Sequence, residues 1–521
     1  MNVKQNTVDR VASVKALNSF PYFVIRNENF KNQSDYREEL IEIQAYYNQY
    51  NKGANFITEG TSGDYVPSAI HYKKMKRLID KEARFLFSNE PEVSILPLNS
   101  SGEETSDHIF DNHAKLISKV FEKSHFSKYI LQAAKDCFVG KRVACLVDIS
   151  EEQGILVHFY NSLQFYYETE YGSDKLTKFV SFECVNNTRS QAGRRFIINV
   201  YEMVENTLHV KMTLTDGVGT VLEEIIPETV VDMDYIPAVI ITNDGTLADR
   251  FGVSEIESLS EYESGYSQLG NADIDSERKG MNPIRYLIDM NSQTTKNLSS
   301  SAGSLWELKS EQNQNNVSPQ VGTLAPQLNH TEALKTTLER LDAAMYDELD
   351  IPNINAETMV GTITSGKALK ALYWPLTVRC EEKLKTWQPA LKDVVRYVVS
   401  MAINNPEVIK SLYGISDLSQ DEYTVEISVN YALMDDELEE KQSDLDDVNS
   451  KAMSRLSYFK KWRKEDLKTD KAREEELMQI AYETNLLEMG GIGGESIIGG
   501  QVQQNQVEEE VQKGIDNEAS E

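Results

Sequence analysis

Few residues of this chain are spaced for chemistry. The seven histidines are His71, His108, His113, His125, His158, His209 and His330, and none sits in an H-E-x-x-H pattern. His108 and His113 are five apart, off a common helical face, so they cannot ligate one metal from a single helix. The cysteines are Cys137, Cys145, Cys184 and Cys380, with no C-x-x-C pair, which argues against a zinc site or a disulfide framework and fits a reducing compartment. No G-x-S-x-G elbow and no Walker motif occurs. The run GGIGGESIIGG lacks the Lys-Ser/Thr of a phosphate loop, and Gly217-x-Gly219 reads as a hairpin turn because no helix follows it. Acidic residues are abundant enough to supply a nuclease-like metal cluster. The pairs Asp435-Asp436 and Asp446-Asp447, however, fall in a highly charged helical stretch and read as a solvated face. The expectation is a chain with no catalytic residue, no metal and no cofactor. What remains is a polar, small-residue loop (Asn353, Asn355, Glu357, Thr358, Met359, Val360, Gly361, Thr362, Ile363, Thr364) followed by Lys367 and Lys370, about one turn apart at a helix start. Those lysines could touch phosphate or pair with neighbouring carboxylates.

The elements around that loop are the clearest in the sequence. Upstream, Leu334, Leu338, Leu341, Met345 and Leu349 form the seam of a helix, with Asn329 and Glu332 placed to make a capping box. Asp350-Ile351-Pro352-Asn353 breaks it. Downstream, Leu369, Leu372, Leu376, Leu384, Trp387, Leu391, Val394 and Val398 recur at helical spacing. Pro375 and Pro389 lie within that run and predict a bend or break, since proline removes a ladder donor and crowds the preceding turn. The loop is too polar to be buried and too long for a tight turn, and an exposed loop held by two rigid helices is where function tends to sit.

The stretch from Asp347 through Asp350-Ile351-Pro352 to Ser365-Gly366-Lys367-Ala368-Leu369-Lys370-Ala371-Leu372-Tyr373-Trp374-Pro375-Leu376 resembles the tunnel-loop region of portal proteins from tailed bacteriophages of the Gram-positive siphophage type. In that family the Ser-Gly-x-Ala-Leu-Lys segment opens a long kinked helix after the loop lining the DNA channel. Nearer the start, Tyr46-Tyr47-Asn48-Gln49 and Asn89-Glu90-Pro91 match the family's Tyr-Tyr-x-Gly and Gly-x-Pro loosely.

The rest of the chain orders itself around this core. At 521 residues it is too long for one hydrophobic core and predicts three or four domains. Residues 1–33 are weakly patterned and read as an arm. Helices are expected over 34–51 and 70–87, two more over 105–139, then an antiparallel sheet of about seven strands, from RVACLVDI to TVLEEII, and a last strand over Pro237–Ile241. Ser254-Glu255-Ile256-Glu257 reads as a capping box opening a helix with an acidic outer face (Glu255, Glu257, Glu261, Glu263, Asp273). Residues 281–328 are polar, with Leu305, Trp306 and Leu308 standing alone. A loop with a short turn fills 405–422, one strand covers Tyr423–Val429, and residues 434–486 are helical and charged, with the cluster Met453, Leu456, Phe459 and Trp462. From Met489 onward there is no packable pattern, and an acidic disordered tail is expected.

The resemblance gives these pieces names: an α+β portal fold. Its parts are an arm (1–33), a helical and antiparallel-β wing (34–250), a first stem helix (251–280) and a clip (281–328). A second stem helix (329–350), the tunnel loop (351–366), the long kinked helix (367–402), an α-helical crown (403–488) and the tail (489–521) complete it. It implies a ring of about twelve copies at one vertex of the virion capsid, assembled in the host bacterial cytoplasm, through which double-stranded DNA passes in packaging and ejection. Its partners would be the large terminase, a head-completion adaptor at the clip, and the major capsid and scaffolding proteins. ATP hydrolysis would belong to the terminase.

Charge bears on this. The chain carries 53 Lys and Arg against 83 Asp and Glu, a formal net charge of −30. A free DNA-binding protein is normally basic, because neutralising phosphate drives its affinity. The acidity fits either a solvated acidic surface or a channel wall from which DNA slides without sticking. No apolar run approaches the roughly 20 residues that span a bilayer, so no membrane role is expected, and the polar N-terminus lacks a signal-peptide core. The sequons at Asn32, Asn186, Asn297, Asn316 and Asn329 are then chance matches. Two other classes stay open: a nucleic-acid processing enzyme with a scattered acidic metal site, and a cytoplasmic helical scaffold.

Overall fold

The computed structural model describes residues 33–57, 66–97, 110–170, 172–186, 193–243, 245–246, 251–281, 284–288, 320–324, 331–354, 366–416, 418–431, 437–463, 473 and 476–481. Two compact units divide the chain: residues 1–364 with 368–433, and residues 365–367 with 434–521. The expected arm and the acidic tail lie outside the described residues, as do Leu305, Trp306 and Leu308.

In the first unit the helices α1 (Gln33–Lys52), α2 (Lys74–Leu86), α3 (Asp111–Lys123) and α4 (Phe126–Gly140) come before the main sheets. A short strand, β1 (Glu92–Pro97), separates α2 from α3. The expected strands are all found, but in two sheets instead of one. Strands β2 (Arg142–Ser150), β3 (Gly154–Asn161) and β9 (Ala238–Thr242) form a three-stranded sheet in the order β3-β2-β9. Strands β4 (Phe165–Thr169), β5 (Leu176–Asn186), β6 (Arg195–Val204), β7 (Thr207–Asp216) and β8 (Val221–Val231) form a five-stranded antiparallel meander. Burial on both faces separates the sheets. On β2, Val143, Cys145 and Val147 pack with the helices, while Ala144 and Leu146 pack with Phe165, Phe179 and Tyr201 of the meander. A strand with no polar face is a middle layer, which is why RVACLVDI reads as a continuous apolar run instead of an alternation.

Helix α5 (Glu255–Met281) follows, then the strands β10 (Ile284–Ile288) and β11 (Gln320–Leu324), which pair antiparallel where the sequence suggested only a polar excursion. Helices α6 (Thr331–Glu348), α7 (Gly366–Asn404) and α8 (Pro406–Tyr413) complete the helical layer. α8 replaces the loop expected over 405–422, with Pro406 at its first turn and Gly414 in the left-handed conformation that ends it. Strand β12 (Tyr423–Ser428) pairs antiparallel with β1. Residues 403–433, grouped in sequence with the crown, therefore belong to the first unit.

Of the bend or break expected at Pro375 and Pro389, the break does not occur: α7 runs through both prolines as one helix. Both prolines, and Ala371 and Lys385 four residues before them, lie on the exposed face. The carbonyls that lose their donors there can bond to water. Leu372, placed on the apolar seam by spacing, is exposed; Leu369, Leu376, Leu384, Trp387, Leu391, Val394 and Val398 are buried.

Of the acidic outer face expected for α5, Glu257 and Glu261 are exposed and Asp273 half-buried, but Glu255 and Glu263 are buried, as are Asn271 and Asp275. Glu263, Asn271 and Asp275 bind the backbone of residues 68–75, laid along the helix. Glu263 Oε2 accepts from Met75 N–H (2.8 Å). Asn271 accepts from Ile70 N–H with Oδ1 and donates to Ile70 C=O with Nδ2, both at 2.8 Å. The Asp275 carboxylate accepts from Ser68 N–H at 3.0 and 3.1 Å. Helix side chains thus stand in for a neighbouring strand. Gly270 leaves room for Tyr72, whose hydroxyl would lie 2.8 Å from an added Cβ.

In the second unit, α9 (Glu437–Asn449) and α10 (Arg455–Trp462) pack as a short pair. Trp462 Nε1 donates to Asp444 Oδ2 (2.6 Å), and Lys461 reaches the same carboxylate oxygen (2.7 Å). Phe459 is buried, as its place in the apolar cluster suggested.

Replacing Asn271 with Leu removes the partner of both polar groups of Ile70, a half-exposed residue, at about 1 kcal/mol for each hydrogen bond lost. Hydrogen exchange of residues 66–73 in Asn271→Leu is expected to rise by at least tenfold while that of the β5–β7 amides stays unchanged.

Candidate functional site

The start of the loop between α6 and α7 is fixed by a buried charge cluster drawn from three helices. Arg379 and Lys383 lie one turn apart on α7, Glu82 on α2 and Glu255 at the first turn of α5. Arg379 Nε donates to Glu82 Oε1 (2.8 Å) and its Nη2 to Glu255 Oε2 (2.7 Å). Lys383 Nζ donates to Glu255 Oε1 (2.5 Å) and to Asn243 Oδ1 (2.7 Å), stands 3.4 Å from Glu82 Oε1 and lies 4.1 Å from the Phe138 ring centroid. Glu82, Glu255 and Lys383 are all buried. A cavity of about 190 Å³ adjoins the cluster, lined among others by Asn243, Ser254, Ser258 and Glu382.

Each helix reaches this point for a local reason. Ser254 caps α5, its Oγ accepting from Ile256 N–H (3.2 Å) and donating to Val139 C=O (2.7 Å). That holds Glu255 at the first turn, where a carboxylate also meets the positive end of the helix dipole. On α2, Glu82 falls on the same face as Met75, Leu78, Ile79 and Leu86. On α7, Arg379 and Lys383 share the face of Leu376, Cys380 and Leu384.

The two carboxylates differ. Burial opposes ionisation of Glu255, but Lys383 and Arg379 outweigh it and hold the carboxyl at about 2, below its ordinary 4.5. Burial dominates at Glu82 and raises its pKa: Lys383 and Arg379 oppose the rise, while Glu255 adds to it. Glu82 Oε2 is buried and has no hydrogen-bond partner. Burial would lower the pKa of both cations, yet Glu255 and Glu82 together raise them. Arg379 and Lys383 are thus fixed charges.

Arg379 also anchors the start of the loop. Its Nη1 donates to Glu348 C=O (3.3 Å), the last residue of α6, and lies 4.0 Å from Asp350 Oδ2. Asp350 takes a left-handed φ of 53°, and Ile351 N–H returns to Tyr346 C=O (3.0 Å). Ile351 is buried. The chain enters the loop within reach of one guanidinium.

Of the residues marked in sequence for this loop, Asn353 is exposed at its start. Asn355, Glu357, Thr358, Met359, Val360, Gly361, Thr362, Ile363 and Thr364 lie outside the described residues. Lys367 is in the first turn of α7, and Lys370 is exposed further along that helix. The cluster itself was missed. Its signal was present: Glu82, Arg379 and Lys383 are charged residues at seam positions of otherwise apolar helix faces. Among the described residues no group of three metal-ligating side chains comes together, and no helix is long and apolar enough to cross a membrane.

Antiparallel sheets, paired helices and a 39-residue helix make a fold of mixed α and β. The family model described as "Phage portal protein, SPP1 Gp6-like" matches residues 29–484, and the chain belongs to that family. It is a member of the phage portal proteins. Two solved structures are similar to it. One, "Neck of empty GTA particle computed with C6 symmetry", shares 8% identity over 74% of this chain and 89% of that one, with a TM-score of 0.36. The other, "Neck of native GTA particle computed with C12 symmetry", shares 7% identity over 75% of this chain and 89% of that one, with a TM-score of 0.37. No curated protein sequence matches the chain.

Glu255→Gln leaves Arg379 and Lys383 short of buried negative charge and is expected to cost roughly 3–5 kcal/mol, the range for breaking one side of a buried pair. Glu82→Gln is expected to cost less, since Glu82 resists ionisation. The pH dependence has a definite sign. Glu255 contributes stability that is present above about pH 4.5 and lost as the pH falls towards 2. Glu82 contributes with the opposite sign, favouring the fold at low pH. Urea unfolding followed by circular dichroism from pH 7 to pH 3 should show a shallower acid loss in Glu255→Gln than in the wild type.

Proposed function

We propose that copies of this chain form a closed ring around a central channel at one vertex of a phage head, and that double-stranded DNA passes through it in packaging and ejection. The observation that carries this is the portal-family match over residues 29–484, with a polar segment between α6 and α7 whose start is anchored by Arg379. α5 and α6 are the two stem helices, the β10–β11 pair the base of the clip, residues 351–366 the tunnel loop and α9–α10 part of the crown. Twelve copies are the number that the resemblance implies.

Residues Asn353 to Thr364 approach the DNA. Thr358, Thr362 and Thr364 are uncharged and Glu357 repels phosphate, so their contacts are weak and transient, as sliding requires. Lys367 and Lys370 are the nearest cations in sequence. The clip, with Leu305, Trp306 and Leu308, docks the head-completion adaptor and the large terminase. The terminase supplies ATP hydrolysis, and the capsid and scaffolding proteins surround the wing and crown.

Negative-stain electron microscopy with light scattering on the full chain is expected to show closed rings with a central hole, at about a dozen times the 59.1 kDa subunit. Monomers or open filaments would refute the ring. Deletion of Met359–Thr362 is expected to leave ring mass unchanged and to abolish DNA packaging in vitro; wild-type packaging by that variant would remove the loop from the DNA path.

A further inference from the structure

We propose that the outer face of α2 is one half of a contact between neighbouring copies of this chain, and that the other half is the Glu257/Glu261 row of the next copy's α5. This rests on the ring reading and deepens it.

The chain carries a net −30, yet α2 and the residue before it present Lys73, Arg77, Lys81 and Arg84. Their spacing of four, four and three makes a single stripe, and all four are exposed. The opposite face of the same helix, with Met75, Leu78, Ile79, Ala83 and Leu86, is buried. Among the described residues little neutralises the stripe. Lys81 lies over the Tyr346 ring at 4.8 Å, and Arg84 reaches Asp80 at 3.8 Å while remaining largely exposed. Lys73 and Arg77 have no carboxylate partner among the described residues.

Lys81 and the neighbouring Lys74, which pairs with Asp342, set this stripe on the α6 flank of α5. Glu257 and Glu261 occupy the other flank, towards α1. They are exposed and one turn apart; Glu257 stands 3.5 Å from the Tyr46 hydroxyl, and Glu261 lines a cavity with Gln49 and Asn55. Neither has a cation partner among the described residues. Two flanks of one subunit thus carry rows of opposite sign with the same one-turn spacing of about 5–6 Å. Different, complementary patches make a head-to-tail contact, which closes into a ring when the rotation closes.

The physical need is specific to this chain. Copies at −30 repel one another, so a contact between them gains from cations left unpaired at its rim. An extended phosphate backbone along the stripe would also run past the exposed Asp347 and Glu348 that flank Tyr346, whereas a two-residue acidic row would not.

The test uses the full chain as wild type, Arg77→Glu/Lys81→Glu, Glu257→Lys/Glu261→Lys and the quadruple variant. Mass is read by light scattering at roughly 100 mM salt, where exposed charges act over ~10 Å. Thermal melts check folding, and all four sites are exposed. The expected result is a ring for the wild type, loss of the ring in each double variant with an unchanged melt, and its return in the quadruple. A milder pair, Arg77→Ala/Lys81→Ala, should weaken assembly at least tenfold if either reversal fails to fold. A wild type that forms no ring overturns the ring reading, and this inference with it. A wild-type ring that persists in Arg77→Glu/Lys81→Glu overturns this inference alone and points to DNA, or to nothing, as the stripe's occupant. Dissociation of both doubles without recovery in the quadruple overturns Glu257 and Glu261 as the partner row.

Discussion

Four charges in the interior hold this subunit together. Glu82, Glu255, Arg379 and Lys383 come from helices separated by more than a hundred residues of sequence, and each makes sense only in the presence of the others. Removing such groups from water costs several kcal/mol per ion, and their mutual attraction returns that only when geometry and hydrogen bonding are nearly complete. Here they are nearly so: both oxygens of Glu255 are engaged by cations, Arg379 spans two carboxylates and a helix-end carbonyl, and Lys383 adds the amide oxygen of Asn243. The one orphan is Glu82 Oε2, on the carboxyl that burial most discourages from ionising. Apolar packing alone tolerates small slides of one helix along another. A cluster of directional bonds does not, so the register of α2, α5 and α7 is set to within about an ångström of hydrogen-bond geometry.

That register matters because of what hangs from it. Arg379 contacts the last carbonyl of α6 and the side of Asp350, so the start of the 351–365 loop is tied to the cluster. In the role proposed for it, the loop needs an anchored start and weak contacts with DNA. The anchor comes from Arg379, and the weakness from side chains that are threonines, a glutamate and small residues.

The polar face of α5 is the second device. A long helix in a subunit wall would ordinarily turn its carboxylates to solvent. This one uses Glu263, Asn271 and Asp275 as acceptors for backbone amides of residues 68–75. An extended segment is thereby satisfied without a partner strand, and Gly270 lets Tyr72 approach the helix backbone. The same helix turns Glu257 and Glu261 outward on its other flank.

Much of the order of elements was legible in the sequence alone. Helical spacing gave α1 to α7 closely, because an apolar stripe of period 3.6 must be buried somewhere, and turn residues gave the strands of the meander. The helix–loop–helix order, the absence of recognisable catalytic spacing and the portal resemblance were also there to be read. Three things waited for the tertiary structure. The strands β1, β10 and β11 are five or six residues long and need distant or clip partners, so no local pattern announces them. The division of one expected sheet into two depends on which face of β2 is covered, and a strand buried on both faces carries no alternation to read. Glu82, Arg379 and Lys383 interrupt apolar seams in the sequence, but which carboxylate meets which cation is decided only when the fold brings their helices together.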